Sequence, residues 1–485
     1  MAQLWTGWVG GRRLPNDQSQ PGDRLVVRHP YDGTPVAEVA WATADQVEQA
    51  VAAADTGRAA VGGASAYVRA EALAHVSARL AERAEEVARL VTAESGKPIT
   101  WSRVEVARAV STFRWGAEEA RRFGGEVQRL DTDPGAEGRI GLVRRFARGP
   151  VLGISPFNFP LNLVAHKLAP AVAVGAPIVL KPAPKTPLSA LLLGELFAET
   201  DLHPAAVSVV VVPDAVAPDL VADPRLPVVS FTGSAGVGAR IQQAVPHKHV
   251  TLELGGNAAA IVCDDWSSDA DLDHAATRIA TFGAYQGGQS CISVQRVLVD
   301  SSLAGAFMPR LVAAVEALGL GDPADDATVV GPLIDEPSAQ RVESWVQEAV
   351  ASGASVLTGG DRTGTSYAPT VVVDAPADAK VVREEVFGPV LVVQTFDGVG
   401  AGLALANDSR YGLQAGVFTH DLQVAFRAHR ELEVGGVVIG DVPSFRADQM
   451  PYGGAKDSGV GREGVRAAMD DLTYERVLVL TGVDL

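Results

Sequence analysis

Hydrophobic and polar residues alternate with a helical period over the first quarter of the chain. Across residues 44–96, apolar side chains recur every three or four positions with acidic and basic residues between them, a pattern typical of amphipathic helices. A second helical pattern covers residues 104–122 and ends before a pair of glycines. The sequence therefore predicts a helical region before residue 123.

Short β-branched runs replace this pattern after Pro150. The runs cover residues 151–154, 178–180, 207–212 and 228–231, and helix-length segments separate them. Strands that are so uniformly apolar are usually covered on both faces, as in parallel sheets. We therefore predict a doubly wound parallel sheet of the nucleotide-binding type.

A second α/β unit is predicted over residues 255–436, with strands at 259–262, 296–299 and 390–394. Two more strand patterns, at 139–148 and 474–483, fit neither unit. A long exposed strand edge promotes aggregation unless another chain covers it. We therefore expect these two strands to pair between subunits.

The composition indicates a folded, acidic protein. Of 485 residues, 47% are hydrophobic and 20% charged, values that exclude wholesale disorder. The 41 basic and 58 acidic side chains give a formal charge of −17, which disfavours binding to nucleic acid. The longest apolar stretch, residues 161–180, contains a histidine, a lysine and two prolines, so no membrane span is predicted. The first fifteen residues lack a signal-peptide pattern, and we expect a cytoplasmic protein.

Cys263 and Cys291 are the two cysteines of the chain, which excludes a disulfide framework and a multi-cysteine metal site. The nine histidines show no metal-ligand spacing, so no metal is predicted. Cys263 ends a predicted strand, as a buried structural thiol would. Cys291 follows a glycine-rich segment, where we expect an accessible nucleophile if N–H groups or a cation favour its thiolate.

Two polar residues near predicted strand ends are candidates for a role beside this thiol. Glu253 lies between two leucines and precedes two glycines, so partial burial would raise its pKa towards the range of a general base. Asn158 lies in a loop with two prolines, where its amide is a candidate donor to an oxyanion. Taken alone, these residues also fit a surface acid and an asparagine that satisfies turn backbone.

Glycines and lysines follow two further strands of the predicted nucleotide-binding sheet. Gly233 and Ser234 lie between a strand and a helix start, where backbone N–H groups suit a pyrophosphate. Lys181 and Lys185 follow a neighbouring strand, at the edge where ligands bind in such sheets. Because the glycine spacing is not G-x-G-x-x-G, a turn without a ligand and a solvated lysine loop remain alternatives.

In this order, the motifs resemble those of the aldehyde dehydrogenase superfamily over nearly the whole chain. Two further segments add to the resemblance: the one that contains Glu385 and Phe387, and the glycine-rich segment 451–464. The resemblance implies cofactor contacts at Lys181, Gly233, Ser234, Gly255, Glu385 and Phe387.

The resemblance also implies a division of catalytic roles. Cys291 corresponds to the nucleophile that attacks the aldehyde, and Asn158 with the backbone N–H of Cys291 would hold the oxyanion. Glu253 corresponds to the residue that activates water to hydrolyse the thioester. The implied reaction is oxidation of an aldehyde to the carboxylic acid with NAD or NADP.

The fold implied by the resemblance is α/β and has three parts. A doubly wound parallel-sheet cofactor domain would comprise residues 1–122 and 149–252. An α/β catalytic domain would comprise residues 253–438, with residues 439–464 returning to the cofactor domain and the substrate tunnel. A small β oligomerisation element would comprise residues 123–148 and 465–485. We expect a homodimer or homotetramer.

One departure from the family pattern concerns the cofactor. Many members have an acidic residue where this chain has Pro184, which Lys185 follows. Removing an acid near the ribose 2′ position lowers the repulsion of a 2′-phosphate, and Lys181 or Lys185 can pair with that group. We therefore predict that NADP is used at least as well as NAD.

The family shapes its substrate pocket with residues near the nucleophile and around the start of segment 451–464. The corresponding residues of this chain are Gln289, Ser290, Arg446 and Tyr452. Arg446 can steer an anionic or hydroxylated aldehyde, although a surface arginine fits the sequence equally well. We predict a small polar aldehyde or semialdehyde as the substrate.

Two alternative functions remain. A CoA-acylating semialdehyde dehydrogenase would pass the acyl group to a thiol, but members of that type generally lack the glutamate found at Glu253. A non-catalytic nucleotide-binding or structural protein could keep the shape alone. The joint presence of Cys291, Asn158 and Glu253 disfavours this second alternative.

Overall fold

The computed structural model describes residues 4–15 and 23–482. Its helices are α1 (Ala44–Thr56), α2 (Arg58–Gly63), α3 (Ala66–Glu82), α4 (Ala84–Ser95), α5 (Ile99–Arg122), α6 (Asn162–Val174), α7 (Leu188–Ala198), α8 (Ala217–Ala222), α9 (Ala235–Ala244), α10 (Asp269–Ala284), α11 (Ser301–Glu316), α12 (Glu336–Ala351), α13 (Lys380–Arg383), α14 (Val399–Asn407), α15 (Leu422–Glu431) and α16 (Val465–Asp471).

The strands form six sheets within the described residues. They are β1 (Leu4–Trp5), β2 (Trp8–Val9), β3 (Arg12–Arg13), β4 (Arg24–Arg28), β5 (Pro35–Ala40), β6 (Glu126–Arg129), β7 (Arg139–Ala147), β8 (Val151–Ile154), β9 (Ile178–Lys181), β10 (Val207–Val209), β11 (Val228–Thr232), β12 (His249–Glu253), β13 (Ala259–Val262), β14 (Arg296–Asp300), β15 (Ser355–Thr358), β16 (Arg362–Thr363), β17 (Ser366–Tyr367), β18 (Thr370–Val373), β19 (Val390–Phe396), β20 (Tyr411–Gly412), β21 (Gln414–Phe418), β22 (Gly436–Ile439), β23 (Ala455–Lys456), β24 (Gly459–Val460) and β25 (Thr473–Thr481).

Helices α1 to α5 form the N-terminal helical region that the periodicity predicts. Helix α4 is followed by Gly96, whose φ of 70° is left-handed and suits a residue without a side chain. Helix α5 begins at Ile99, before the predicted residue 104. Its first turns bury the polar residues Ser102 and Glu105. These two residues interrupt the apolar repeat from which the start of the helix was predicted.

An eight-stranded sheet has the order β24-β12-β11-β8-β9-β10-β2-β3. The strands from β12 to β10 are parallel, which confirms the predicted doubly wound sheet. Strand β8 lies between β9 and β11, so the chain turns in opposite directions on its two sides. Ligands of such sheets bind at the carboxyl edge near this switch point. The loops after β8, β9, β11 and β12 therefore meet at one edge.

The second large sheet has the order β15-β18-β19-β14-β13-β21-β22. Neighbouring strands from β18 to β22 are parallel, and β15 pairs antiparallel with β18. Helices α10 and α11 bury apolar side chains against one face of this sheet, in one continuous cluster. This sheet is the second α/β unit predicted from the sequence.

A three-stranded antiparallel sheet has the order β25-β7-β6. We predicted that both long strands pair between subunits, but β7 and β25 pair with each other along the whole of β7, and β6 covers residues 140–143 on the other edge of β7. Strand β25 keeps one edge open, and residue 483 of its predicted range lies outside the described residues. Helix α16, which falls within the range assigned to the oligomerisation element, packs against α5 and α6.

Candidate active site

The carboxyl edge of the eight-stranded sheet borders a cavity of about 990 Å³. From this sheet and its loops, the cavity is lined by Asn158, Lys181, Pro184, Lys185, Gly233, Ser234 and Glu253. From the chain after β12, it is lined by Gly255, Cys291, Arg341, Glu385 and Phe387. The structure thus brings the predicted catalytic and cofactor residues to one cavity.

The loop that carries Cys291 follows α10 and has an unusual backbone. Gln286, Gly287 and Gly288 have φ values of 54°, 64° and 69°, all in the left-handed region. A glycine is required at 288, because an added Cβ would collide with the backbone of Gly388. The glycine-rich sequence therefore allows the tight turn that brings Cys291 into the cavity.

The side chain of Gln289 supports this loop. Its Nε2 donates to the carbonyl oxygens of Gln286, at 3.1 Å, and Pro332, at 3.3 Å. Its Oε1 accepts from the N–H of Ile334 at 2.9 Å. These bonds occupy the amide, which corrects the prediction that Gln289 lines the substrate pocket. Ser290 is buried.

Cys291 is half-buried, and its sulfur lies 3.1 Å from the hydroxyl oxygen of Tyr452. Burial raises the pKa of the Cys291 thiol above its usual range, although the hydrogen bond with Tyr452 acts to lower it. The resting thiol is therefore neutral near pH 7. Cys263 is fully buried between strands, as expected for a structural thiol.

Asn158 is held against the Cys291 loop. Its Nδ2 donates to the carbonyl of Gln289 at 2.9 Å, and its own backbone carbonyl accepts from the side chain of Gln286. A primary amide nitrogen carries two hydrogens, so one N–H of Asn158 remains for another acceptor. This geometry suits the donation of a hydrogen bond to an oxygen bound near the thiol.

Glu253 is a buried carboxyl group whose two oxygens have no hydrogen-bond partner among the described residues. Burial raises the pKa of Glu253 well above its usual range, and the nearby charge of Glu463 raises it further. For Glu463, burial also acts to raise the pKa, but the charges of Lys167 and Arg446 lower it to about 2. Glu463 is therefore the ionised carboxylate of this pair, and Glu253 is the carboxyl group that can bind a proton.

Arg446 is a buried cation that pairs with Glu463. Its side chain is 5% exposed, and its Nη2 donates to Glu463 at 3.1 Å. The guanidinium lies 3.9 Å from the centroid of the Tyr452 ring. Its Nε is buried, and no described residue forms a hydrogen bond with it. Arg446 is thus a buried charge at the site and not the surface arginine of the alternative interpretation.

The other end of the cavity suits a dinucleotide. Helix α9 begins after Ser234 without a side-chain cap, so its first N–H groups are available to a phosphate. Lys181 pairs with Asp214 at 2.7 Å, and Lys185 pairs with Asp335. Arg240 also lines this end. These groups fit an NAD(P) cofactor that lies across the strand ends.

The nicotinamide end of such a cofactor would meet Glu385 and Phe387. A Glu385 oxygen accepts from the N–H of Gly256 at 3.0 Å, and burial raises the pKa of Glu385 to about 7. Any side chain at Gly255 would collide with the Glu385 carboxyl group. Phe387 packs edge-to-face on Phe157 at 5.9 Å between ring centroids. Gly255 therefore shapes the site by permitting the approach of Glu385.

The sequence interpretation missed two charged residues of the site, Lys167 and Glu463. The Lys167 ammonium donates to Ser230 at 3.0 Å and to Thr232 at 2.8 Å, and it pairs with Glu463 at 3.3 Å. A lysine within the apolar run 161–180 was the available signal, since an unpaired lysine is rarely buried. Glu463 lies in the glycine-rich segment 451–464, and the sequence interpretation assigned no role to it.

Comparison with known proteins identifies the family. The model of the aldehyde dehydrogenase family matches residues 17–478. The chain belongs to the aldehyde dehydrogenase family. As a member it is an oxidoreductase that uses NAD or NADP to oxidise small aldehydes, which confirms the predicted reaction class.

Two curated relatives and one solved structure illustrate the similarity. The 3-sulfolactaldehyde dehydrogenase of Priestia aryabhattai is 42% identical over 459 residues, 94% of this chain and 95% of the relative. The succinate-semialdehyde dehydrogenase (NADP+) GabD of Escherichia coli (strain K12) is 37% identical and covers 93% of each chain. Aldehyde dehydrogenase 21 from Physcomitrella patens, in complex with the reaction product succinate, is 42% identical with a TM-score of 0.96, covering 100% of this chain and 99% of its own.

Residues 4–15 and 23–482 hold no group of three histidine, cysteine or acidic side chains arranged to bind a metal ion. Within the same ranges, no helix has the length and apolar character that a membrane crossing requires.

Proposed function

We propose that this aldehyde dehydrogenase oxidises a short aldehyde whose other end carries an anionic group, a carboxylate or a sulfonate. The observation that carries the proposal is the buried Arg446, whose Nε has no hydrogen-bond partner among residues 4–15 and 23–482 and whose guanidinium stacks on Tyr452 beside Cys291. A buried, unpaired donor on a cation suits an anionic ligand. Because the ring of Tyr452 contacts this cation on its face and the sulfur through its hydroxyl, we expect a short substrate chain.

The names of the relatives agree with this chemistry. The Priestia enzyme is named for 3-sulfolactaldehyde, which carries a sulfonate, and the Escherichia coli enzyme for succinate semialdehyde, which carries a carboxylate. The Physcomitrella enzyme holds succinate, a dicarboxylate. In each case an anionic group stands a few bonds from the oxidised carbon.

The proposed reaction begins with the Cys291 thiolate, after its proton has passed to water in the cavity. The sulfur bonds to the aldehyde carbon, the carbonyl π bond breaks, and Asn158 and the Cys291 N–H donate to the resulting oxyanion. A bound nicotinamide supplies the hydride acceptor for the next step. After hydride loss, Cys291 holds a thioester.

Hydrolysis of the thioester is assigned to Glu253. Its carboxylate takes a proton from water, which attacks the acyl carbon and releases the acid and the Cys291 thiolate. The two unpaired carboxyl oxygens of Glu253 support this role, because they leave room for a water as a partner. Acyl transfer to CoA would not need this group, so the buried Glu253 favours hydrolysis.

The substrate proposal is tested with Arg446→Gln, which keeps a donor for Glu463 but removes the charge. Loss of a charged hydrogen bond of about 1.5–3 kcal/mol lowers kcat/KM for succinate semialdehyde about 10- to 100-fold. For butanal, a neutral analogue, we expect a much smaller decrease. Arg430→Gln, at an exposed position on α15, is the control and should change neither value. Equal losses for both aldehydes, or a preference of the native enzyme for long or aromatic aldehydes, would contradict the proposal.

We also propose that NADP is used at least as well as NAD. Pro184 removes an acid from the ribose end of the cavity, where Lys181, Lys185 and Arg240 supply positive charge. The negative charge of Asp214 repels a 2′-phosphate only in part, because Asp214 forms an ion pair with Lys181. The test is kcat/KM for both cofactors with one aldehyde. An advantage of tenfold or more for NAD would refute the proposal.

The three catalytic assignments share one direct test. Cys291→Ala should abolish aldehyde oxidation, because no other thiol of the described residues reaches the cavity. Binding of NADPH, followed by its fluorescence, should persist in this variant. Undiminished turnover in Cys291→Ala would exclude Cys291 as the nucleophile. It would leave the cavity as a nucleotide-binding site without the proposed catalytic role.

We further propose a cytoplasmic homo-oligomer, a homodimer or homotetramer, with the domain boundaries expected from the family. A nucleophilic thiol needs a reducing compartment, which supports the location. The open edge of β25 supports the assembly. Cell fractionation with antibody detection tests the location.

A further inference from the structure

Tyr452 contacts the reacting sulfur directly. Its hydroxyl oxygen lies 3.1 Å from the sulfur of Cys291, and the residue is 3% exposed. Its backbone is fixed by two hydrogen bonds with Glu463, of 2.9 Å from the Tyr452 N–H and 2.7 Å to its carbonyl. Tyr452 is therefore a rigid polar neighbour of the nucleophile that the reaction described above does not use.

We propose that Tyr452 is a further catalytic residue, whose hydroxyl donates its hydrogen to the Cys291 sulfur and stabilises the thiolate that attacks the aldehyde. The proposal rests on the proposed function, in which Cys291 is the nucleophile. A hydrogen bond to an anion is roughly twice as strong as one between neutral groups. The contact therefore stabilises the reactive form of the sulfur more than the resting thiol.

The direction of this hydrogen bond follows from the two groups. Burial raises the pKa of the Tyr452 hydroxyl well above its usual range, so the phenol keeps its hydrogen after the thiol has lost its proton. A thiolate can only accept. Once the thiolate has formed, Tyr452 must therefore be the donor.

Arg446 strengthens this donor. Its guanidinium lies over the Tyr452 ring, 3.9 Å from the centroid, where a cation is attracted to the π face. Positive charge at the ring face withdraws electron density from the phenol and makes its hydroxyl a better donor. Arg446 also fixes the ring orientation, since it is held by Glu463 at 3.1 Å.

Other charges around the sulfur act against the thiolate. The titratable and charged groups that face it are Glu253, Glu385, Arg446, Tyr285 and Tyr452. The two carboxyl groups raise the pKa of Cys291 when ionised, and burial raises it most. Arg446 lowers it from a distance. The Tyr452 hydroxyl is the donor that reaches the sulfur itself, which is why the nucleophile depends on it.

The experiment measures the thiol without any aldehyde. The rate of alkylation of Cys291 by iodoacetamide is followed against pH, with the modified peptide identified by mass spectrometry. In Tyr452→Phe, loss of the donor should raise the midpoint by about one pH unit and slow alkylation at neutral pH about tenfold. The matched control is Tyr411→Phe, a buried tyrosine whose hydroxyl contacts Glu384 at 3.3 Å. It should leave the midpoint unchanged.

A second measurement separates thiol acidity from access of the reagent. The ultraviolet absorbance of the thiolate, taken as the difference between each protein and its Cys291→Ser counterpart, is titrated over the same pH range. Tyr452→Phe should shift this titration as it shifts the alkylation profile. Unchanged or lowered midpoints in Tyr452→Phe, with NADPH binding and melting temperature intact, would overturn the proposal.

Steady-state kinetics distinguish this proposal from the substrate proposal. Because Tyr452 acts on the sulfur, Tyr452→Phe should lower kcat/KM about tenfold for succinate semialdehyde and butanal alike. A loss confined to the anionic aldehyde would make Tyr452 a substrate-binding residue and overturn its role at the thiol. If instead Cys291→Ala keeps full activity, the proposed function itself fails, whatever the thiol titration shows.

Discussion

Unpartnered polar atoms cluster around Cys291 in this enzyme. Both carboxyl oxygens of Glu253 and the Nε of Arg446 are buried without hydrogen bonds among the described residues. Each such group costs about 1–3 kcal/mol of folding free energy. Glu253 lines the cavity with Cys291, so a water or a substrate in that cavity can complete its contacts.

The raised pKa of Glu253 predicts how thioester hydrolysis depends on pH. An acid with a raised pKa remains protonated at lower pH, so the base form of Glu253 increases as the pH rises through that pKa. Hydrolysis should therefore accelerate with pH in the native enzyme. Stopped-flow measurement of NADPH formation, with an initial burst followed by a slower steady phase, checks this.

Glu253→Gln is the matched variant for this prediction. The amide keeps the shape of the side chain but cannot take a proton. The burst should keep its amplitude, whereas the steady phase should fall at least 100-fold and lose its pH dependence. A steady phase that still rises with pH in this variant would assign the base to another group.

Sequence patterns identified the residues with distinctive local motifs, and tertiary contacts decided the others. Cys291 follows a glycine-rich turn and Asn158 lies between prolines, so their positions were predictable. Gln289 lies in the same motif as Cys291, yet its side-chain amide forms hydrogen bonds with the backbone of Pro332 and Ile334, more than 40 residues later in the sequence. The pairing of Lys167 with Glu463 likewise joins distant segments that no local pattern connects.

At the scale of elements, the corner between α4 and α5 holds two loops of the site. Glu105 accepts from the N–H groups of Leu161 and Asn162, directly after the Asn158 loop, and pairs with the buried Lys97. Glu94 accepts from the first N–H groups of α7. Buried acids in the helical layer therefore orient loops at the sheet edge.

Glu94 makes the stability of this corner depend on pH. Burial raises the pKa of Glu94 to about 7 from 4.5, although hydrogen bonds from Ser189 and Leu188 act to lower it. Between these values the folded protein binds more protons than the unfolded chain, so stability decreases as the pH rises. The loss attributable to Glu94 amounts to at most about 3 kcal/mol, complete slightly above pH 7.

Urea unfolding at several pH values checks this prediction against Glu94→Gln. The variant is uncharged at every pH, so the difference in unfolding free energy between it and the native enzyme should move in favour of the variant from pH 5 to pH 8. If the difference in unfolding free energy stays constant over this range, burial does not raise the pKa of Glu94 as proposed.

The boundaries of elements were less predictable than their types. The strand predicted over residues 207–212 ends at Val209 in the structure. Residues 210–212 remain buried, but their backbone hydrogen bonds lie outside regular strand pairing. Val210 donates to the carbonyl of Leu180, and the carbonyl of Val211 accepts from Ala42. An apolar run in the sequence indicates which residues are buried, whereas the residue at which a strand ends depends on the strands beside it.

At the scale of the whole molecule, fold class followed from the alternation of patterns. Uniformly apolar runs correctly predicted the parallel strands β8, β9 and β11. The pairing of β7 with β25 was not predictable, because these segments are separated by more than 300 residues of sequence. Long-range strand pairing is fixed by the packed domains between the strands and not by the strands themselves.

The open edge of β25 makes a prediction about assembly. Val477, Leu478 and Val479 on this strand are 54%, 56% and 46% exposed, although they form a continuous apolar run. A long apolar edge of this kind is normally covered by another chain. We therefore expect the native enzyme to be an oligomer in which a second copy covers β25.

Leu478→Lys tests this assembly, because a charge on the edge opposes its burial. Sedimentation velocity should show a smaller species for Leu478→Lys than for the native enzyme at the same concentration. Val350→Lys places the same charge at a comparably exposed apolar residue, 45% exposed at the end of α12, and should leave the mass unchanged. If both variants sediment as the native enzyme does, another surface carries the subunit contact. If the native enzyme is a monomer, the exposed strand requires a different partner.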